Sequence, residues 1–182
     1  MAWGPIVLWS DQNRPVCLIL IWLISTGARL NEALTAKVCD VDESRKAWTI
    51  NAEQAKNKRS RVVPLNSVAL KALGERDSNS EWLWPNPKTG KPYTTITRVW
   101  YRLKKEAGIE NCRIHDLRHT FGSYLSQANV SGSEIMHALG HRDFRTTLRY
   151  LHRSHADGLR VSTHVADRIS KAMKSVSGCL LY

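Results

Sequence analysis

Residues 115–125 read HDLRHTFGSYL and contain a helical pattern of apolar residues. The apolar side chains recur at the three- and four-residue spacing of one helix face: Leu117, Phe121, Tyr124 and Leu125. That spacing predicts an amphipathic helix over residues 116–127. His115 and Arg118 are three residues apart, so they lie on one side of this helix, where an imidazole and a guanidinium can meet one phosphate together.

Helices are predicted on both sides of this stretch. Downstream, one helix ends at Leu139 before Gly140, another begins near Thr146 and carries Tyr150, and a last one covers residues 157–174. Upstream, four more helices are predicted, at residues 13–27, 28–35, 66–73 and 94–107; Asn13 is expected to cap the first, which stops near Gly27.

Between residues 37 and 65 the pattern changes to short β-prone stretches separated by polar turns. These stretches predict antiparallel strands at residues 38–41, 48–51 and 61–65. Residues 74–92, rich in Gly, Ser, Asn and Pro, are expected to form a long surface connection. The sequence therefore predicts a mainly α fold with a small three-stranded antiparallel β-sheet, an α+β arrangement.

The chain is strongly basic, with 27 Lys and Arg against 16 Asp and Glu and a formal charge of +11. Such a surplus favours a polyanionic partner, nucleic acid first and an anionic membrane surface second, although a merely soluble basic protein also fits. The apolar run at residues 16–24 is nine residues long. A bilayer span needs about 20, so no membrane association is expected from it.

No metal ion or cofactor is expected. The cysteines are scattered without a Cys-x-x-Cys pair, and no Asp/Glu cluster suits a metal ion. Unpaired cysteines of this kind are typical of reduced, cytoplasmic proteins.

Three further features carry candidate chemistry. Arg29 precedes Glu32 by three residues in TGARLNE, close enough to be held by it, although a surface ion pair has the same pattern. His141 lies nine residues before Tyr150, which taken alone is more often a core tyrosine. A predicted hairpin holds Lys56, Lys58, Arg59 and Arg61. These basic side chains can contact a phosphate backbone, although a solvent-exposed turn has the same pattern.

Together these residue types suit transesterification of a phosphodiester. Arg29 and Arg118 can neutralise the extra charge of a pentacoordinate transition state. A tyrosine can form a covalent phosphodiester, and a lysine on a hairpin can protonate the leaving oxygen. His119 follows Arg118 directly and is expected to point elsewhere on the helix, in a structural or at most phosphate-proximal position.

Four motifs in order resemble the catalytic domain of the tyrosine recombinase (phage integrase) family over about residues 14–153: TGARLNEAL, AKNKRSRVVPL, HDLRHTFGSYL and LGHRDFRTTLRY. The resemblance implies that family's fold and site-specific cleavage and rejoining of DNA through a 3′-phosphotyrosine intermediate. It also implies that Arg29 and Arg118 bind the scissile phosphate, that His141 stabilises the transition state and that Tyr150 is the nucleophile.

The same resemblance assigns the remaining roles. Lys56 is the general acid, with Lys58 as its nearest rival in a short loop. His115 stands where a proton-accepting or phosphate-orienting residue is usual, and Glu32 supports the first arginine. Apart from the resemblance, basic charge on the hairpin and near the candidate phosphate site predicts contacts to the DNA backbone from Lys58, Arg59, Arg61, Arg142, Arg145 and Arg149.

The resemblance further divides the chain into an atypical segment at residues 1–12, where the usual clamp domain is absent, a catalytic domain at residues 13–156 and a C-terminal helix and tail at residues 157–182. The tail is expected to contact a neighbouring protomer. Double-stranded DNA is the expected partner, and the chain is expected to form a homotetramer on it. The free chain is expected to be a monomer with weak DNA affinity, in the cytoplasm of a bacterium. Two alternatives stay open: relaxation of supercoils like a type IB topoisomerase, and a non-catalytic DNA-binding remnant of an integrase.

Overall fold

The computed structural model describes residues 14–53, 55, 59–76, 79–151, 163 and 165–166. Several predictions fall outside these residues: the segment at 1–12, the cap at Asn13, both candidate general acids Lys56 and Lys58, and all but three residues of the helix predicted at 157–174.

Helices dominate the described part of the chain. They are α1 (Arg14–Thr26), α2 (Leu30–Leu34), α3 (Ser67–Gly74), α4 (Thr97–Glu106), α5 (Ile114–Gln127), α6 (Gly132–Leu139) and α7 (Arg145–Leu148). The strands are β1 (Val41–Asp42), β2 (Ala47–Ile50) and β3 (Arg61–Pro64), which form one antiparallel sheet in the order β1-β2-β3. This arrangement confirms the predicted fold class.

Helix α1 is the central element of the core. Apolar residues occupy most of its positions, and it packs against both α3 and α5. The Trp22 ring meets the rings of Trp48 and Trp84 edge-on, with centroids 5.3 and 5.6 Å apart. All three rings are almost fully buried. Trp84 thereby anchors the long connection at residues 74–92 to the helical core and the sheet.

The end of α1 depends on Gly27. Its φ of 64° lies in the left-handed region, where a side chain is disfavoured. A Cβ at this position would also lie 2.3 Å from a ring carbon of Phe121 in α5. The glycine therefore lets α1 stop sharply and lets α5 approach its end.

Two predicted elements are corrected. Residues 38–41 were expected to form a strand, but Val38–Asp40 is a 3-10 helix and only Val41 begins β1. The reason is a distant partner, because the Val38 N–H donates to the carbonyl of Glu81 at 2.9 Å. Helix α7 ends at Leu148 and does not include Tyr150, whose N–H closes a tighter turn onto the carbonyl of Thr147.

No helix among the described residues is long and apolar enough to cross a membrane.

The aromatic cluster makes a prediction about stability. We expect Trp22→Ala to lower the free energy of unfolding by about 3–5 kcal/mol, because a buried ring leaves a cavity between α1 and β2. Urea unfolding followed by circular dichroism measures the change. The matched control is Val68→Ala on α3, where the side chain is exposed and the effect should stay within about 0.5 kcal/mol. Equal losses in both variants would contradict this account of the core.

Candidate active site

One buried carboxylate organises the site. Glu32 in α2 is 1% exposed. Arg61 donates to it through both terminal nitrogens, Nη1 to Oε1 and Nη2 to Oε2, each at 2.8 Å. Arg29 donates to it twice more, through Nη1 at 3.0 Å and through its backbone N–H at 2.8 Å. The carboxylate therefore joins the start of α2 to strand β3.

The ionisation of Glu32 follows from these partners. Burial raises the pKa of its carboxyl, but the hydrogen bond and charge of Arg61, with those of Arg29, outweigh burial and hold the pKa below its ordinary value. Glu32 is therefore a carboxylate at neutral pH.

Arg118 lies deeper than Arg29. It is 4% exposed, and its two terminal nitrogens donate to backbone carbonyls, Nη1 to Gly27 at 2.6 Å and Nη2 to Leu139. Burial, and then the charges of Arg29 and Arg61, lower the pKa of Arg118 to about 10. Its guanidinium stays charged at neutral pH, and the two hydrogen bonds that hold it go to uncharged carbonyls.

The turn after α6 closes over the arginines. Gly140 caps α6 with φ 61°, in the left-handed region. Its carbonyl accepts a hydrogen bond from Arg29 Nη2 at 3.2 Å, and a Cβ here would lie 2.9 Å from the side chain of Arg61. Glycine at this position therefore lets Arg61 pack against the turn that presents His141, while the carbonyl of the same turn holds Arg29.

The cluster carries an excess of positive charge. Among the described residues, the guanidiniums of Arg29, Arg61 and Arg118 gather around one carboxylate, that of Glu32. Three guanidiniums against one carboxylate leave the cluster with a net excess of two positive charges in a partly dehydrated space. Such a place attracts an anion, because the field of these charges is weakly screened there.

His141 lies against this cluster. Its Nδ1 is 3.0 Å from the hydroxyl of Thr147, and its ring stacks on that of Tyr150 at 6.3 Å and 12°. Burial, followed by the charges of Arg118 and Arg29, lowers the pKa of His141 to about 4. The imidazole is therefore neutral at physiological pH in the free protein.

Tyr150 packs into the same place and is 5% exposed. Its ring covers Gly122 of α5, where a Cβ would lie 2.8 Å from the ring, and its carbonyl accepts from the Ser126 hydroxyl. Its own hydroxyl lies 2.6 Å from Nδ1 of His119. Burial raises the pKa of the phenol, against the opposing charges of Arg118 and Arg149, so the phenol is protonated at neutral pH.

The predicted site residues thus divide into three groups. The structure brings together Arg29, Glu32, Arg118, His141 and Tyr150. His115 stands at the edge, exposed on the first turn of α5, while Lys56 and Lys58 lie outside the described residues. The predicted DNA contacts that are exposed are Arg59, Arg142, Arg145 and Arg149.

Two residues have positions that sequence reasoning missed. Arg61 was expected on an exposed hairpin, but its side chain is 11% exposed and points at Glu32. The cause is its place in β3, where it shares the buried face with Val63 two residues on. His119 was expected to point elsewhere, yet it contacts Tyr150. Its spacing of four from His115 places both on one helix face and is the signal that identifies it.

Comparison with known proteins identifies the family of this chain. Residues 10–157 match the phage integrase family. The chain belongs to that family. It is 29% identical over 158 residues to an integrase of Salmonella phage P22, covering 80% of this chain and 41% of that protein. It is 32% identical over 164 residues to the tyrosine recombinase XerA of Thermococcus kodakarensis, covering 86% and 57%.

Solved structures share the fold. The Tn1549 transposon integrase in complex with a circular intermediate DNA aligns with TM-score 0.72 at 17% identity, over 87% of this chain and 61% of that one. The XerH recombinase bound to its difH substrate aligns with TM-score 0.68 at 24% identity, over 86% and 48%. The chain spans about half the length of the curated relatives that it matches in the phage integrase family.

The buried carboxylate predicts a pH-dependent loss of stability. We expect Glu32→Gln to lower the free energy of unfolding by about 3–5 kcal/mol at pH 7, because two arginines lose a buried partner. The native pKa of Glu32 is depressed, so its stabilisation is complete above the unfolded carboxyl pKa of about 4.3 and is lost as the pH falls through the native value. Urea unfolding at pH 7 and at pH 3 measures this, and the difference in the free energy of unfolding between variant and wild type should be smaller at pH 3 than at pH 7. A difference that is constant with pH would contradict the ion pairs.

The positive cluster predicts a response of His141 to anions. An anion held by Arg29 and Arg118 should raise the pKa of His141 from about 4, because a nearby negative charge favours the imidazolium. Titration of the imidazole by NMR, in sodium sulfate and in sodium chloride at equal ionic strength, measures the shift. The rise should shrink in Arg29→Gln, and an equal pKa in both salts would argue against an anion site.

Proposed function

We propose that this chain is the catalytic domain of a site-specific DNA recombinase, or integrase, that cleaves and rejoins DNA strands through Tyr150. One observation carries the proposal: Tyr150, whose hydroxyl meets His119, packs beside His141 and an arginine cluster with a net excess of two positive charges. The integrases and tyrosine recombinases among its relatives support it. The catalytic domain is taken as residues 13–156.

In the proposed cleavage step, Arg29 and Arg118 hold the scissile phosphate. The Tyr150 oxygen attacks phosphorus, the bond from phosphorus to the 5′ oxygen breaks, and a 3′-phosphotyrosine and a free 5′ hydroxyl result. The arginines act on the transition state, where charge on the phosphoryl oxygens is greatest. Their positions are fixed beforehand by Glu32 and by backbone carbonyls, so little reorganisation is needed.

His141 is proposed to donate a hydrogen bond to the same phosphoryl oxygens. When the Thr147 hydroxyl donates to Nδ1, the ring proton resides on Nε2 and is available to the phosphate. Lys56 is proposed as the general acid that protonates the leaving 5′ oxygen, with Lys58 as the rival for that role.

Rejoining reverses these steps on a different strand. A 5′ hydroxyl attacks the phosphotyrosine and regenerates the phosphodiester, so the energy of the broken bond is conserved and no cofactor or metal ion is used. Lys58, Arg59, Arg142, Arg145 and Arg149 are proposed to contact the DNA backbone, while Arg61 is assigned instead to holding Glu32. The proposal also includes the assembly of four copies of the chain on two DNA sites. The free chain is proposed to be a monomer and to act in the cytoplasm.

The alternatives are of different standing. The reported relatives are integrases and recombinases, and none of them favours a type IB topoisomerase. A non-catalytic, DNA-binding remnant remains the alternative that experiment has to separate from the enzyme.

The test is covalent capture of DNA. The chain is incubated with a pool of nicked suicide duplexes of randomised sequence, and adducts are resolved on a denaturing gel. We expect an adduct from the wild-type chain and none from Tyr150→Phe, because the phenol oxygen is the nucleophile. The matched control is Tyr124→Phe on α5, where the side chain is 55% exposed and the adduct should persist.

Other outcomes separate the alternatives. DNA binding without an adduct, also when the N-terminal DNA-binding domain of a relative is supplied in trans, would favour the remnant. Relaxation of supercoiled plasmid by the monomer without strand exchange would favour the topoisomerase-like activity. An adduct that survives in Tyr150→Phe would assign the nucleophile to another residue.

A further inference from the structure

The hydroxyl of Tyr150 has a specific partner. Its oxygen lies 2.6 Å from Nδ1 of His119, and the two rings are 5.9 Å apart with a tilt of 42°. Among the described residues, His119 is the hydrogen-bond partner of this hydroxyl. The nucleophilic atom of the proposed reaction is therefore already joined to a group that can accept its proton.

Both members of this pair are held in place. His119 lies on α5, where the ring of His115 meets it edge-on at 4.7 Å. Tyr150 packs against the same helix, where its ring contacts Gly122 and its carbonyl accepts a hydrogen bond from Ser126. The distance between the two groups is thus set by packing at both ends rather than by one exposed side chain.

The charges around His119 favour its neutral form. Burial, followed by the charge of Arg149 beyond α7, lowers its pKa. Arg113 and Arg118 act in the same direction, and Asp116 opposes them. His115, His141 and Tyr150 also face this region. A neutral imidazole beside a protonated phenol is the state from which a proton can move as the phenol attacks.

We propose that His119 is the proton acceptor for Tyr150 in strand cleavage, an inference that rests on the proposed function. As the Tyr150 oxygen bonds to phosphorus, its proton passes to Nδ1 of His119. The bond from phosphorus to the 5′ oxygen breaks, and that oxygen takes a proton from the general acid. In rejoining, His119 returns its proton to the phenolate oxygen of Tyr150.

This assignment differs from the one that the family resemblance implied for His115. His115 is exposed and meets the ring of His119 rather than the phenol. The Nδ1 of His141 is engaged by Thr147. His119 is therefore the catalytic residue at the nucleophile, and His115 is a positioning residue behind it.

The experiment measures the rate of adduct formation from pH 5 to pH 10. The substrate is a duplex whose sequence forms an adduct in the covalent-capture test, with sulfur in place of the 5′ bridging oxygen at the cleaved position. A thiolate leaves without protonation, so titration of the general acid drops out of the profile. The variant is His119→Asn, because the Asn amide can accept a hydrogen bond where Nδ1 stood but cannot take a proton. His115→Asn is the matched control, and urea unfolding verifies that both variants fold.

We expect a wild-type rate that becomes independent of pH above the pKa of His119. His119→Asn should be slower by about 10²- to 10⁴-fold at pH 7. Its rate should rise about tenfold per pH unit, because the reaction then requires the phenolate. His115→Asn should keep the shape of the wild-type profile. If His119→Asn does not fold, His119→Gln is measured in its place.

Three results would overturn the inference. The first is a rate for His119→Asn equal to that of the wild type. The second is a slower rate with an unchanged pH profile, which would reduce His119 to a positioning residue. The third is loss of the pH-independent region in His115→Asn instead. The absence of any adduct from the wild-type chain is distinguishable from these, since it overturns the proposed function and the inference with it.

Discussion

The site depends on a carboxylate placed where a charge is costly. Removing a carboxylate from water costs several kcal/mol unless its partners replace the lost hydration. Glu32 receives four hydrogen bonds, two from Arg61 and two from Arg29. This arrangement joins α2, β3 and the turn after α6. Without Glu32, three guanidiniums would face one another at close range, and their repulsion would separate the elements that carry them.

Arg118 is held in a different way, and the difference matters for chemistry. Its partners are the carbonyls of Gly27 and Leu139, at the C-terminal ends of α1 and α6. Helix C-termini carry partial negative charge, which favours a cation without neutralising it. Arg118 is therefore held by hydrogen bonds that do not neutralise its charge. The glycine turns after both helices permit this geometry, and the resulting excess charge is what an anionic phosphate would meet.

Much of this arrangement could be predicted from local sequence. The apolar periods of α1 and α5 and the β-prone stretches around Trp48 and Arg61 reflect burial patterns that each segment carries within itself. The 3-10 helix at Val38–Asp40 could not be predicted in this way, because its backbone partner lies at Glu81, far along the chain. The inward direction of Arg61 had a signal in its alternation with Val63, but its charge favoured an exposed DNA contact instead. The contact of His119 had a signal in its spacing from His115, but its place directly after Arg118 favoured a different direction on the helix.

The main core and the nucleophile are held by different kinds of contact. The main core, built around Trp22, Trp48 and Trp84, is held by large apolar contacts that do not depend on protonation. Tyr150 belongs to a second, smaller cluster with Ile135 and Leu139, and its polar atoms are held by Ser126 and His119. Directional contacts of this kind fix an atom precisely enough for reaction, yet each contributes only about 1 kcal/mol. The nucleophile can therefore respond to pH and to a bound anion while the rest of the fold stays unchanged.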